Sequence, residues 1–128
     1  MGIFDKLFGS SPKSEKKALP WQKLETVSQL DTIAKRSFDK PQVIFKHSTR
    51  CGISSMVIRQ FESNYDFDAE EVDLYYLDLL SYRDVSQEIV AKFQVIHQSP
   101  QLLVIYKGQT VHHASHHSIH PQHISEFV

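Results

Sequence analysis

The stretch FKHSTRCGISSMVIRQF, Phe45–Phe61, contains the chain's only cysteine, and the place of Cys51 within it decides the fold. Just upstream, QVIFKHS follows Pro41 and runs Val43, Ile44 and Phe45 together, the pattern of a strand covered on both faces. From Gly52 onward the apolar residues change to helical spacing. Ile53, Met56, Val57, Ile58 and Phe61 are expected to face inward, and SNYDFDAEE ends the helix. The stretch therefore predicts a buried strand, a polar turn and a helix, with Cys51 at the hand-over.

Working outward, WQKLE (Trp21–Glu25) alternates as a strand does. SQLDTIAKRSF then sets Leu30, Ile33, Ala34 and Phe38 on one helical face, with Ser28 as its cap. Beyond Phe61, Val72–Leu80 predicts a second buried strand, and SYRDVSQEIVAKFQV a helix with Val85, Ile89, Val90 and Phe93 inward. Leu102–Tyr106 and Gln109–Ser115 form a hairpin around Lys107 and Gly108, and a short helix at His123–Phe127 closes the chain. This order, β-α-β-α-β-α-β-β-α, predicts an α/β fold whose central mixed sheet carries helices on both faces.

With 128 residues the chain is expected to form one folded domain, residues 21–128. Residues 1–20 are expected to form a short amphipathic segment and a linker: Ile3, Phe4, Leu7 and Phe8 have helical spacing, and GSSPKSEKKALP breaks structure. Fourteen basic residues against fifteen acidic ones, without a basic cluster, give no reason to expect nucleic acid as a partner. No apolar run approaches the ~20 residues of a membrane span, so no membrane partner is expected either. One cysteine permits no intrachain disulfide, which points to a reducing compartment and so to the cytoplasm. His112, His113, His116, His117, His120 and His123 crowd the far end. Their spacing gives no ready tetrahedral set, so no physiological metal site is expected there.

A cysteine that ends a central strand and precedes a helix lies at the carboxyl edge of the sheet, where open α/β folds keep their ligand crevices. Unpaired N–H groups and the positive helix end favour thiolate there, and Arg50, Lys46 and His47 add positive potential if they point the same way. The competing reading is a small buried apolar cysteine. The polar STR before Cys51 favours the reactive one.

The order of elements, the strand-Cys-x-x-Ser-helix hand-over and SPQLLVIYKGQTV resemble the thioredoxin superfamily. Within it, FKHSTRCGIS, VIHQSPQLLVIYKG and HASHHSI resemble the monothiol bacilliredoxins, the bacillithiol-system redox proteins of bacteria. The resemblance spans about Trp21 to Val128, and MGIFDKLFG resembles the family's short opening. It implies Cys51 as catalytic nucleophile and a cis Pro100 that presents Ser99 to an extended substrate. Arg50, Gly52, Ile53 and Ser54 are implied to stabilise the thiolate or bind substrate. Ser54 stands where dithiol relatives carry a resolving cysteine, so an outside thiol must complete each cycle.

The implied partners are S-thiolated client proteins, with bacillithiol or another low-molecular-weight thiol as cosubstrate and no tightly bound cofactor. Two departures keep alternatives open. CGIS, with Gly52 after the cysteine, also resembles the Cys-Gly-Phe-Ser motif of monothiol glutaredoxins, which hold iron-sulfur clusters, and a redox-inactive adaptor is the third reading. Phe45 stands where many thioredoxins carry a buried carboxylate six residues before the cysteine, so no proton relay can run through that position.

Overall fold

The computed structural model describes residues 19–128; the expected segment over residues 1–20 lies, up to residue 18, outside them. In chain order the elements are β1 (Trp21–Lys23), α1 (Ser28–Arg36), β2 (Gln42–His47), α2 (Gly52–Asn64), β3 (Asp73–Asp78), α3 (Arg83–Phe93), β4 (Gln101–Tyr106) and β5 (Gln109–Ser115). Two 3-10 turns follow, His116–Ser118 and Pro121–Phe127. The strands form one mixed sheet in the order β1-β3-β2-β4-β5. β1, β3 and β2 are parallel, whereas β4 runs antiparallel to β2 and β5 antiparallel to β4.

β2 lies at the centre with every residue buried, as its unbroken apolar run requires. Alternate residues serve opposite faces: Ile44 packs with Leu30, Ile33, Val85 and Ile89 of α1 and α3, while Val43 and Phe45 pack with Val57 and Phe61 of α2. Ile119 and Ile124 from the C-terminal turns complete the second layer. Phe45 meets both Trp21 and Phe61 edge-on, so the position that many thioredoxins give to a carboxylate belongs here to an aromatic cluster.

Several boundaries differ from the sequence reading. Ser28 does not cap α1. Instead Gln29 turns its Oε1 back to accept the N–H groups of Glu25 and Thr26, at 2.7 and 2.9 Å. Phe38 lies beyond the helix and is 61% exposed; its ring sits where a Cβ on Gly108 would be, 2.9 Å from that point. Gly108 has φ +82° in the hairpin turn, a conformation suited to glycine. Its N–H donates to Ser37 Oγ, and the N–H of Lys107 donates to the Ser37 carbonyl, so the turn is pinned to the end of α1.

The expected inward set of α2 is also corrected: Ile53 and Met56 are exposed, and the buried positions are Ser54, Val57, Ile58 and Phe61. The helix is rotated because a polar residue, Ser54, has a partner beneath it. On β5, Val104 pairs with His112 but Ile105 pairs with Thr110, so Val111 forms a bulge in the outermost strand.

Candidate functional site

β2 ends at His47, and Ser48–Cys51 makes one polar turn before α2 begins. The Cys51 N–H donates to the Ser48 carbonyl at 3.2 Å, and the Cys51 carbonyl accepts the Ser55 N–H at 3.1 Å. Cys51, with φ −108° and ψ 120°, is the N-cap of α2 and is partly exposed. The one thiol therefore belongs to the residue that opens a thirteen-residue helix, and its side chain makes no capping hydrogen bond to the first-turn N–H groups. Arg50 and Gly52 are exposed beside it, and a Cβ at Gly52 would meet nothing within 4 Å. Ile53 presents an exposed apolar side chain on the same first turn, 47% accessible.

Ser54, fully buried, faces the sheet. Its Oγ accepts the Ser48 N–H at 3.1 Å and lies 2.7 Å from His47 Nδ1. Both bonds return to the end of β2, so this hydroxyl ties the cysteine turn to the strand from which it springs. In the antiparallel register Lys46 faces Gln101, which brings the start of β4 to the same sheet edge. There the Ser99–Pro100 peptide bond is cis, Pro100 is buried and Ser99 is partly exposed. The Pro100 carbonyl accepts the His116 N–H at 3.1 Å, so the first C-terminal turn also closes on this edge.

The edge is polar beneath its surface. Lys46 is fully buried and its Nζ donates to Gln101 Oε1 at 3.1 Å. Burial pushes its ammonium down to about 8. Gln101 in turn donates to the Ile96 carbonyl at 3.0 Å, which fastens the segment before Pro100. Burial also holds His47 below the usual imidazole range, with the charges of Asp78 and Glu62 opposing it. Asp78 pairs with His47 across the β2–β3 ladder, and one of its carboxylate oxygens is buried without a hydrogen-bond partner among the described residues. A cleft of about 270 Å³ opens next to it, with Tyr76, Asp78 and Tyr82 on its wall.

The sequence reading placed Cys51, Arg50, Gly52, Ile53 and Ser54 on one turn, and Ser99 and Pro100 arrive at that edge through β4. It left Lys46 and His47 as neighbours of undefined direction and did not consider Gln101 or Asp78. A lysine and a histidine closing an otherwise apolar strand were the signal. The histidines farther on are partly gathered: His112 and His123 have ring centroids 4.7 Å apart. Among the described residues no group of three or more His, Cys, Asp or Glu side chains is placed to hold a metal ion. No helix among them is long and apolar enough to cross a membrane.

Residues 22–124 match the family described as Monothiol bacilliredoxin BrxC. The chain belongs to the monothiol bacilliredoxin family. Among solved structures, a candidate oxidoreductase with a thioredoxin fold is 29% identical, with a TM-score of 0.69 over 83% of this chain and 91% of that one. The thioredoxin of Malassezia sympodialis is 20% identical, with a TM-score of 0.65 over 90% and 92%. That of Nicotiana alata is 18% identical, with a TM-score of 0.62 over 81% and 87%. The last two share the fold alone: the protein has a thioredoxin-like fold. Membership of the family and the likeness to the candidate oxidoreductase support a thiol redox function for this bacilliredoxin.

Proposed function

We propose that the protein removes bacillithiol, or a similar low-molecular-weight thiol, from mixed disulfides on client proteins in the bacterial cytoplasm. The observation that carries this reading is the placement of the chain's one thiol at the N-cap of α2, with a serine at the third helical position where a resolving thiol would stand. Cys51 thiolate attacks the small thiol's sulfur in the client's mixed disulfide. A new Cys51–small-thiol bond forms, the old disulfide bond breaks, and the client sulfur leaves as thiolate and takes a proton from solvent. A second molecule of low-molecular-weight thiol, as thiolate, then attacks the small-thiol sulfur of the adduct; the Cys51–sulfur bond breaks, the two small thiols leave as their disulfide, and Cys51 is restored as thiolate. The exposed Arg50 and Ile53, with Gly52 and the partly exposed Ser99, flank the path by which an extended client reaches the sulfur. No tightly bound cofactor takes part.

Intact mass after exposure to oxidised bacillithiol tests the reading: the expected product gains one bacillithiol on Cys51 and loses it to excess free thiol. Turnover of a bacillithiolated client protein should follow. A protein that takes no adduct, but colours on anaerobic reconstitution with iron, sulfide and a thiol, would instead be a cluster carrier.

A further inference from the structure

α3 starts without a side-chain cap, so no capping side chain accepts from the N–H groups of its first turn. Arg83, Ser86 and Gln87 share one face of its opening turns, and with Leu79 and His97 they line a cleft of about 300 Å³. Two of its walls belong to the cysteine edge of the sheet. The Leu79 N–H donates at 3.1 Å to the carbonyl of His47, which ends β2, and His97 lies in the segment that runs into the cis Ser99–Pro100 bond. The lining carries positive charge and no carboxylate; Asp84, also in the first turn of α3, does not line it. Arg83 makes no ion pair among the described residues. Burial and then the charge of Lys46, itself buried on Gln101, hold the His97 imidazole below its usual range. Ser86 is only 7% exposed, lines the cleft, and its hydroxyl makes no hydrogen bond among the described residues.

We propose that this cleft is a carboxylate subsite, taking the charged end of a small thiol such as bacillithiol while that thiol's sulfur is exchanged at Cys51. The Arg83 guanidinium offers a planar fork that suits two carboxylate oxygens, the Ser86 hydroxyl a donor with no other partner, and the start of α3 a positive helix end. An anion held there supplies the counter-charge that neither Arg83 nor Lys46 finds among the described residues. The volume is at the low end for small-molecule sites, so the cleft holds one end of a ligand whose sulfur lies outside it. A neutral small thiol gains nothing from these groups. The cleft therefore selects between small thiols by their charge, whatever client carries them.

This subsite rests on the thiol exchange proposed above, but its first test needs no thiol. Succinate titrated into the reduced protein should shift the amide signals of Ser86 and Gln87 and the ring signals of His97, and should not do so in Arg83→Gln. The second test compares a peptide blocked at its one cysteine by mercaptosuccinate, which carries carboxylates, with the same peptide blocked by neutral 2-mercaptoethanol. Arg83→Gln should slow transfer of mercaptosuccinate to Cys51 about fivefold and Ser86→Ala about threefold, the losses expected for an exposed ion pair and a single hydrogen bond. Neither should slow transfer of mercaptoethanol. Arg59→Gln, the same loss of charge at an exposed position of α2, should leave both rates alone. Glutamates beside the peptide's cysteine, with mercaptoethanol as the blocking group, distinguish a client carboxylate from that of the small thiol, and a loss confined to that peptide overturns the proposal. Unmoved Ser86 and His97 signals overturn it too, as does equal slowing of both blocking groups. If no blocked peptide reacts with Cys51 at all, the thiol exchange falls, and the succinate titration still decides whether the cleft binds a carboxylate.

Discussion

The two ends of β2 are both polar and buried, yet they are built in opposite ways. At the start, Asp73 collects hydrogen bonds and ion pairs from Gln42 at 2.8 Å, Lys40 at 3.1 Å and Arg36 at 3.5 Å, and Tyr75 donates to Gln42 at 3.0 Å. At the finish, Lys46 is buried on a neutral glutamine, Asp78 leaves one oxygen unpartnered among the described residues, and the tautomer of His47 sets which of Ser54 Oγ and His47 Nδ1 donates in the bond between them. The first end has its charges matched and resists unfolding. The second keeps charge unmatched beside the one thiol, so a change there moves protons and potential as well as stability.

Replacing Cys51 by alanine should have the largest effect, since it removes the only thiol: de-thiolation should be lost altogether. Thermal unfolding should barely move, because the side chain is partly exposed and caps nothing. Residual turnover in that variant would show that the carboxyl edge is not where the chemistry occurs. At the other end, Asp73→Ala should lower stability by about 2 kcal/mol in urea unfolding, as the buried carboxylate's bond from Gln42 and its pairs with the partly exposed Lys40 and exposed Arg36 are lost together. Its de-thiolation rate per folded molecule should match wild type; a fall in that rate would erase the distinction between the two ends.

Lys46 sharpens the comparison through pH. Folded, it gives up its proton near 8, while an unfolded lysine keeps it to ~10.4. Between those values the unfolded chain binds more protons, so stability should rise with pH by about 2 kcal/mol. Above ~10 it should fall again, because burial raises Tyr75 and Tyr76 and the unfolded tyrosines ionise first. Urea midpoints from pH 7 to 10 should show the rise in wild type and none in Lys46→Met. The smallest change lies away from both ends: Gly108→Ala should cost about 1 kcal/mol, since φ is +82° there, and the exposed Phe38 ring can swing aside. A denaturation midpoint equal to wild type would mean that the turn relaxes freely.

The sheet was legible in the sequence wherever burial is purely apolar. Val43–Phe45 announced the central strand, and Lys107-Gly108 between two β-branched runs announced the hairpin, because both signals are local. The phase of α2 was not legible. Apolar periodicity assigned Ile53 and Met56 to the core, whereas Ser54 is buried because His47, seven residues back, offers it a hydrogen bond. That match depends on how the Ser48–Cys51 turn folds back, which no count of apolar residues records. Phe38 was misassigned for a similar reason: α1 ends at Arg36, and the ring instead covers a glycine from the far hairpin. For the site, the position of Cys51 followed from strand-then-helix order, and the buried proton chemistry beneath it emerged only with the register of β2 against β3 and β4.

The bulge at Val111 bears on how the molecule behaves in a crowd. An open sheet offers two bare rows of backbone donors and acceptors, each a template on which a neighbour's strand can add. Here one border strand, β1, is three residues long, and the other, β5, is kinked where Val111 drops out of the ladder. Neither border presents a long straight row. The molecule is thereby protected from polymerising with itself through the described strands, and straightening β5 by deleting Val111 should convert a monodisperse solution into one that scatters light.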